Sequence, residues 1–337
     1  MTSSPKKRYL MMRALVFLFS LTVCLVASEV VIRLLDLAPE IYVVETGRFQ
    51  HSRNPLIGYE LVPYFESDTS GPLLDFKGKA NSLGFRDREH AIEKKRGVFR
   101  ILVLGDSITQ GLRIQNSSDI FTSVLERQMN TEKTNDVEVI NFGVNGYNTQ
   151  QEVEILREKG LSFSPDLVIL SYCVNDTDFV AAGIIYNLEK KIKHSRILLR
   201  KPKILMKSDL FRLLYSSNFS RYSVQPDKFH AIKKNTVFKY LNILGEISRN
   251  NGFKVLVVWF PRLDGFINTH LRNQLDQVKR ISASHGFHFL DLTESLATCA
   301  KDRSIAIDMM HPSRWGHHCA GKAIANYIKI EVISPGI

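Results

Sequence analysis

From Phe99 onward the sequence alternates short, almost wholly apolar runs with amphipathic stretches, and that alternation leaves few architectures open. The apolar runs are "FRILVLG" (99–105), "VEVINFG" (137–143), "PDLVILSYC" (165–173), "KVLVVWFP" (254–261) and "FHFLDLT" (287–293). Between them lie "DIFTSVLERQMN", "TQQEVEILREKG" with Gly160 as C-cap, a helical segment at 229–250, and "NQLDQVKRISASHG". In the first of these, Ile120, Phe121, Val124, Leu125 and Met129 share one side, as a packed helix requires. A last helix is expected from Ser313 to Ile330. Strands that are apolar on both faces need cover on both. The pattern therefore predicts an α/β protein with a parallel five-stranded sheet between two helical layers. In such sheets functional groups gather just past the carboxyl ends of the strands.

Four places meet that condition with reactive side chains. Ser107 follows "RILVLG" directly; Gly105 permits a tight turn, and a helix opening at Ser107 would turn backbone N–H groups toward an oxyanion. The same residues suit a helix cap, for which Asp and Ser are favoured. "NFGVNGYNT" follows the second run and offers Gly143 and Gly146, as turn glycines or as bare backbone donors. "SYCVNDTD" sets Asn175 and Asp176 at the end of the third run, where the Asn175 amide can meet a developing negative charge or close an Asx turn. "DMMHPSRWGHH" follows the fifth. Asp308 and His311, three apart, face the same way in a tight loop, so the carboxylate can hold Nδ1–H and leave Nε2 as a general base. Pro312 steers His311 out of helical geometry and can open the next helix.

Other chemistries lack their patterns. His285, His288, Asp308, His311, His317 and His318 fall in no zinc-site spacing, so no metal is expected. "GDSITQG" has no P-loop lysine, and Thr109 stands where the α/β-hydrolase elbow carries its second glycine. No cofactor is implied. The net charge is +11, but the excess gathers at Lys6, Lys7, Arg8 and Arg13 and in "LEKKIKHSRILLRKPKILMK" (188–207). Without a zinc-finger or RNA-binding signature this reads as a solvated or membrane-facing surface, and no nucleic acid is expected as a partner. The four cysteines contain no CxxC and form no disulfide framework; Cys299 and Cys319 could pair in an oxidising compartment.

The N-terminus has its own reading. After "KKRYLMMR" an uncharged apolar run extends from Ala14 to Ser28 and continues amphipathically through "EVVIRLLDL". A signal anchor over 1–37 is expected, with a cleaved signal peptide ending at Ser28 as the alternative. Either leaves the basic flank in the cytoplasm and the bulk outside, periplasmic or extracellular, and secreted if cleavage occurs. Residues 38–98, broken by Pro39, Pro55, Pro63 and Pro72, read as an extension of loops and short strands that includes the turn-rich "NSLGFRDRE".

Taken together, "LGDSIT", "NFGVNGYNT", "CVND" and "DMMHP" resemble the blocks of the SGNH (GDSL) hydrolase family over about residues 99–330. "NSLGFRD" and the apolar N-terminus are similar to exported bacterial members. The resemblance implies a flavodoxin-like three-layer α/β/α sandwich and a serine esterase that hydrolyses an acetyl or short acyl ester through an acyl-enzyme. It assigns Ser107 as nucleophile, His311 as base and Asp308 as its orienting carboxylate, with Ser107, Gly146 and Asn175 as oxyanion donors. Cys173 stands where the third block usually has glycine. The implied substrate is a small-molecule, carbohydrate or lipid ester. An O-acyltransferase acting on envelope carbohydrate, or a catalytically silent envelope-binding protein, are the alternatives. Serine preceding the Asp–His element favours hydrolysis over the alginate-type acetyltransferases, where that order is reversed. The interval 177–227 reads as an insertion, either a helical cap or a solvated loop.

Overall fold

The computed structural model describes residues 5–35, 48–67, 78–131, 136–177, 208, 210–211, 214, 236–265, 269–301 and 303–333. The chain divides into two compact units, Met1–Val43 with Ile192–Val224, and Val44–Lys191 with Gln225–Ile337. The first unit contains a helix over Pro5–Leu34 whose apolar span, Arg8–Leu34, is long enough to cross a membrane. It exceeds the uncharged run because "EVVIRLL" continues the same helix. Glu29 is accommodated there by Arg33 at 2.9 Å, Ser208 Oγ at 2.7 Å and the Leu210 N–H at 2.9 Å.

The second unit opens with two small antiparallel ladders, β1 (Phe49–His51) with β2 (Tyr59–Leu61) and β3 (Glu66–Ser67) with β4 (Gly78–Lys79). The main sheet follows: β5 (Val98–Gly105), β6 (Asp136–Gly143), β7 (Leu167–Tyr172), β8 (Lys254–Trp259) and β9 (His288–Asp291). All four pairings are parallel and the order is β6-β5-β7-β8-β9, as expected for the three-layer sandwich.

Strand side chains alternate between the two layers, which is why these runs are nearly all apolar. Leu102, Leu104, Ile140, Phe142, Val168 and Leu170 pack on one face, with Val153, Leu156, Leu241 and Leu244 from the helices Thr149–Glu158 and Val237–Asn251. Ile101, Val103, Val139, Leu167, Ile169 and Val258 take the other, under Phe121–Met129 and Arg314–Tyr327. Each such side chain, fully buried, contributes about 1.5–3 kcal/mol.

Some elements differ from expectation. The fifth strand ends at Asp291 because that carboxylate accepts from the N–H and hydroxyl of Thr293, turning the chain into a helix at Thr293–Cys299 that its sequence did not announce. The helix expected from 273 begins at Thr269, and the last helix widens into a π-helical turn at Ile328–Ile333. The start of the helix expected at 229 and nearly all of the 177–227 insertion lie outside the described residues. Phe49, Ile57, Tyr59, Leu61 and Phe85, all from the extension, share one apolar cluster with the sheet.

Candidate active site

The β5 and β6 strands end level, Gly105 opposite Gly143, so the turns leaving them lie side by side. A four-residue helix, Ser107–Gln110, starts at once after β5, capped by Asp106 Oδ1, which accepts the Ile108 N–H at 2.9 Å. Glycine is required on both strands. A Cβ on Gly105 would lie 2.0 Å from Thr109 Oγ1, and one on Gly143 would lie 2.3 Å from the Gln110 backbone nitrogen. Cap and candidate nucleophile are therefore adjacent residues: Asp106 caps, and Ser107 begins the helix with its own N–H unused by the helical ladder.

Ser107 Oγ lies 2.9 Å from His311 Nε2, both residues almost fully buried. His311 Nδ1 faces the Asp308 carboxylate at 2.8 and 2.9 Å, which sets its proton on Nδ1 and leaves Nε2 as acceptor from the serine hydroxyl. Asp308 Oδ1 also accepts the backbone N–H groups of Met310 and His311, each at 2.8 Å. Burial works against ionisation of Asp308, yet the His311 ring and these N–H groups hold its carboxyl well below the usual range. The loop carrying the pair is closed by the Ala306–Pro312 bridge and by a Cys299–Cys319 disulfide whose Cα atoms are 6.3 Å apart.

Gly146 and Asn175 lie in the turns that follow β6 and β7, the two strands that flank β5. Asn175 Nδ2 donates to Asp106 Oδ2 at 3.0 Å, and Ser107 Oγ is 3.4 Å from the same oxygen. A primary amide carries two N–H groups, so one remains for a ligand. The Cys173 thiol meets Asn175 Oδ1 and stands 3.2 Å from Asp106 Oδ2; in place of the usual glycine it adds a donor against the amide oxygen. Asp176 turns inward, accepting from the Cys173 N–H at 2.7 Å and Thr149 Oγ1 at 2.8 Å. Burial and the nearby Asp106 charge push its carboxyl up to about 8. Gly143 is occupied structurally, its N–H bonded to Asn141 Oδ1 at 2.8 Å. Gly146 adopts φ +80°, a left-handed turn that favours glycine. Among the described residues no backbone carbonyl accepts its N–H.

The remaining histidines are dispersed or structural. His317 is buried beside Phe121, accepting its backbone N–H at 3.2 Å, and burial with the Arg86 and His311 charges drives its pKa down to about 3. Among the described residues no cluster of three or more His, Cys, Asp or Glu side chains is arranged to hold a metal ion.

Strand ends together with the family resemblance pointed to Ser107, Gly146, Asn175, Asp308 and His311, but not to the residues that hold their loops. Arg113, at φ +62°, approaches Asp308 Oδ2 to 3.6 Å. From "NSLGFRD", Arg86 donates to the carbonyls of Gly111 at 2.6 Å and Ile114 at 2.5 Å, and Asp87 Oδ2 accepts the Asn141 N–H at 2.7 Å. Arg48 donates to Gln110 Oε1 at 2.6 Å. The compactness of that motif was visible in the sequence; its targets were not.

No curated protein matches the chain. Solved structures similar to it include an acetyl xylan esterase, AlAXEase, at 16% identity over 70% of this chain and 100% of that one, with a TM-score of 0.42. TesA is 14% identical over 68% of this chain and 98% of its own, with a TM-score of 0.45. A lipolytic protein of the G-D-S-L family from Veillonella parvula DSM 2008 is 16% identical over 71% and 100%, with a TM-score of 0.43. A family model described as GDSL-like Lipase/Acylhydrolase matches residues 103–319, from within β5 to the middle of the last helix. The chain therefore belongs to the GDSL-like lipase/acylhydrolase family and is an ester-bond hydrolase.

Proposed function

We propose that the protein is a serine esterase that removes an acetyl or other short acyl group from an O-acyl ester. The observation that carries this reading is the continuous contact from Ser107 Oγ to His311 Nε2 at 2.9 Å and from His311 Nδ1 to Asp308 at 2.8 Å. In this mechanism Ser107 Oγ attacks the ester carbonyl while His311 Nε2 takes its proton, and Asp308 stabilises the resulting imidazolium. The N–H groups of Ser107 and Gly146 and the free N–H of Asn175 Nδ2 receive the oxyanion. Removing one such donor costs about a hundred- to thousand-fold in turnover. His311 returns its proton to the leaving alkoxide, and water, deprotonated by the same Nε2, then releases the acid. Every proton transfer and every stabilised charge is assigned to a residue of this chain.

The reading extends to location. The apolar helix at Arg8–Leu34, with Arg8 and Arg13 at its start, suits a segment that enters a membrane with its basic end inside. The Cys299–Cys319 disulfide suits an oxidising compartment outside the cytoplasm. A substrate at the cell envelope, an O-acylated carbohydrate or a lipid ester, follows from that placement.

The test compares the purified chain with Ser107→Ala on nitrophenyl esters of short and long chain. Hydrolysis by the native chain that favours acetate and is lost in the variant is expected; equal background rates for both would remove the reading.

A further inference from the structure

The turn that carries Gly146 is held from outside the matched family region. Tyr59, in β2 of the extension, lies 86 residues upstream, is fully buried, and donates from its hydroxyl to the carbonyl oxygen of Asn145 at 2.7 Å. That carbonyl and the Gly146 N–H are the two ends of one peptide unit. The described chain contains no cis peptide, so C=O of Asn145 and N–H of Gly146 point in opposite directions across a rigid plane. Fixing one end fixes the other. The bond also polarises the peptide, which makes its N–H a stronger donor.

We propose that Tyr59 is a positioning residue for the esterase reaction: its hydroxyl sets the direction and strength of the Gly146 oxyanion donor. The inference rests on the serine-esterase reading above and adds to it a role for the extension. Three features support it. Gly146, at φ +80°, sits in a conformation reached by rotating backbone torsions, so its peptide needs an external restraint to face one way. Tyr59 itself is tightly held, its ring packed edge-on against Phe49 and Tyr147, each at 5.3 Å. The neighbouring Gln151 Nε2 donates to the Ile57 carbonyl at 2.7 Å, tying the same loop to the base of the turn. Burial raises the phenol pKa well above its ordinary value, which keeps the hydroxyl a donor across the working pH range.

The experiment uses the full chain and the variants Tyr59→Phe and Tyr147→Phe, assayed on p-nitrophenyl acetate and with a trifluoromethyl ketone that forms a tetrahedral adduct. Both variants remove one buried phenol hydroxyl from the same cluster, but only Tyr59 touches the 145–146 peptide. Expected for Tyr59→Phe is a fall in kcat of about tenfold or more with KM within twofold, and a parallel loss of ketone affinity. Tyr147→Phe is expected to keep kcat within about threefold of the native chain. Urea unfolding confirms that both are folded at the assay temperature. A folded Tyr59→Phe with native kcat, or two variants that fall alike, overturns the proposal while leaving the esterase reading intact. A native chain no faster than Ser107→Ala overturns both.

Discussion

Replacing Asp308 by Asn tests the Asp–His pair with little change in shape. The amide oxygen can still accept the Met310 and His311 N–H groups now held at 2.8 Å, so the loop keeps its turn. What changes is the nearer of the two atoms facing His311 Nδ1, the other being the Oδ1 that already accepts the two backbone N–H groups. A carboxylate oxygen at 2.8 Å becomes an NH2 group, and two N–H donors cannot face each other. The imidazole is driven to the other tautomer, with its proton on Nε2, 2.9 Å from Ser107 Oγ, and it can no longer accept the serine proton. In Ser-His-Asp systems the wrong tautomer costs about 10⁴ in kcat, or about 5.5 kcal/mol at 1.36 kcal/mol per decade. The assay is kcat and KM for p-nitrophenyl acetate at pH 7.5, with KM expected within about threefold because no ground-state contact is removed. Stability supplies a second readout. Asp308 is held below its unfolded value, so its ionised form stabilises the fold above about pH 4, and that contribution is lost as pH falls through the folded value. The stability gap between native and variant chains should therefore close on acidification below about pH 4. A variant that retains kcat within about tenfold would show that His311 does not depend on Asp308 for its tautomer, and the argument would fail.

Three further outcomes are expected. Converting Cys299 and Cys319 to serine removes a cross-link spanning 20 residues around the Asp308–His311 loop, and should cost about 3 kcal/mol in urea unfolding. Gly143→Ala places a methyl 2.3 Å from the Gln110 nitrogen and should destabilise by roughly 1–3 kcal/mol or more, lowering the melting temperature and displacing the Ser107 helix. Asp176 should make the native chain lose stability as pH rises from about 4 to 8, because its folded pKa of about 8 lies above the unfolded value and the native state holds the extra proton in that window. Urea titrations of native chain and Asp176→Asn across pH 5–9 check this: the difference between them should shift steadily against the native chain up to about pH 8 and then level.

Sequence alone was enough for the sheet and for the residues that end its strands. Runs such as "RILVLG" and "LVILSY" are apolar at nearly every position because both faces are covered, and period-two packing leaves no polar side to misread. The rule that parallel sheets gather function at their carboxyl ends then drew attention to Ser107, Gly143 and Gly146, Asn175, Asp308 and His311, and the resemblance to the SGNH (GDSL) blocks selected Gly146 among them. Local chemistry was legible too: Asp308 and His311 are three apart, and an Asp before a helix start is a cap.

Tertiary structure decided everything that depends on distant segments meeting. Ser107 and His311 are 204 residues apart, and only the sheet order brings Oγ to Nε2. The resemblance named Gly146 rather than Gly143, but the bond that occupies the Gly143 N–H and the close approach of Gln110 are visible only in the fold. The extension read as irregular because its strands are two or three residues long, too short for periodicity, and several of its side-chain hydrogen bonds, such as Arg86 to Gly111 and Gln151 to Ile57, join residues 25 to 94 positions apart. No pattern along the chain records that Tyr59 faces the carbonyl of Asn145 or that Arg86 faces that of Gly111, because side-chain reach across a folded surface has no period in sequence.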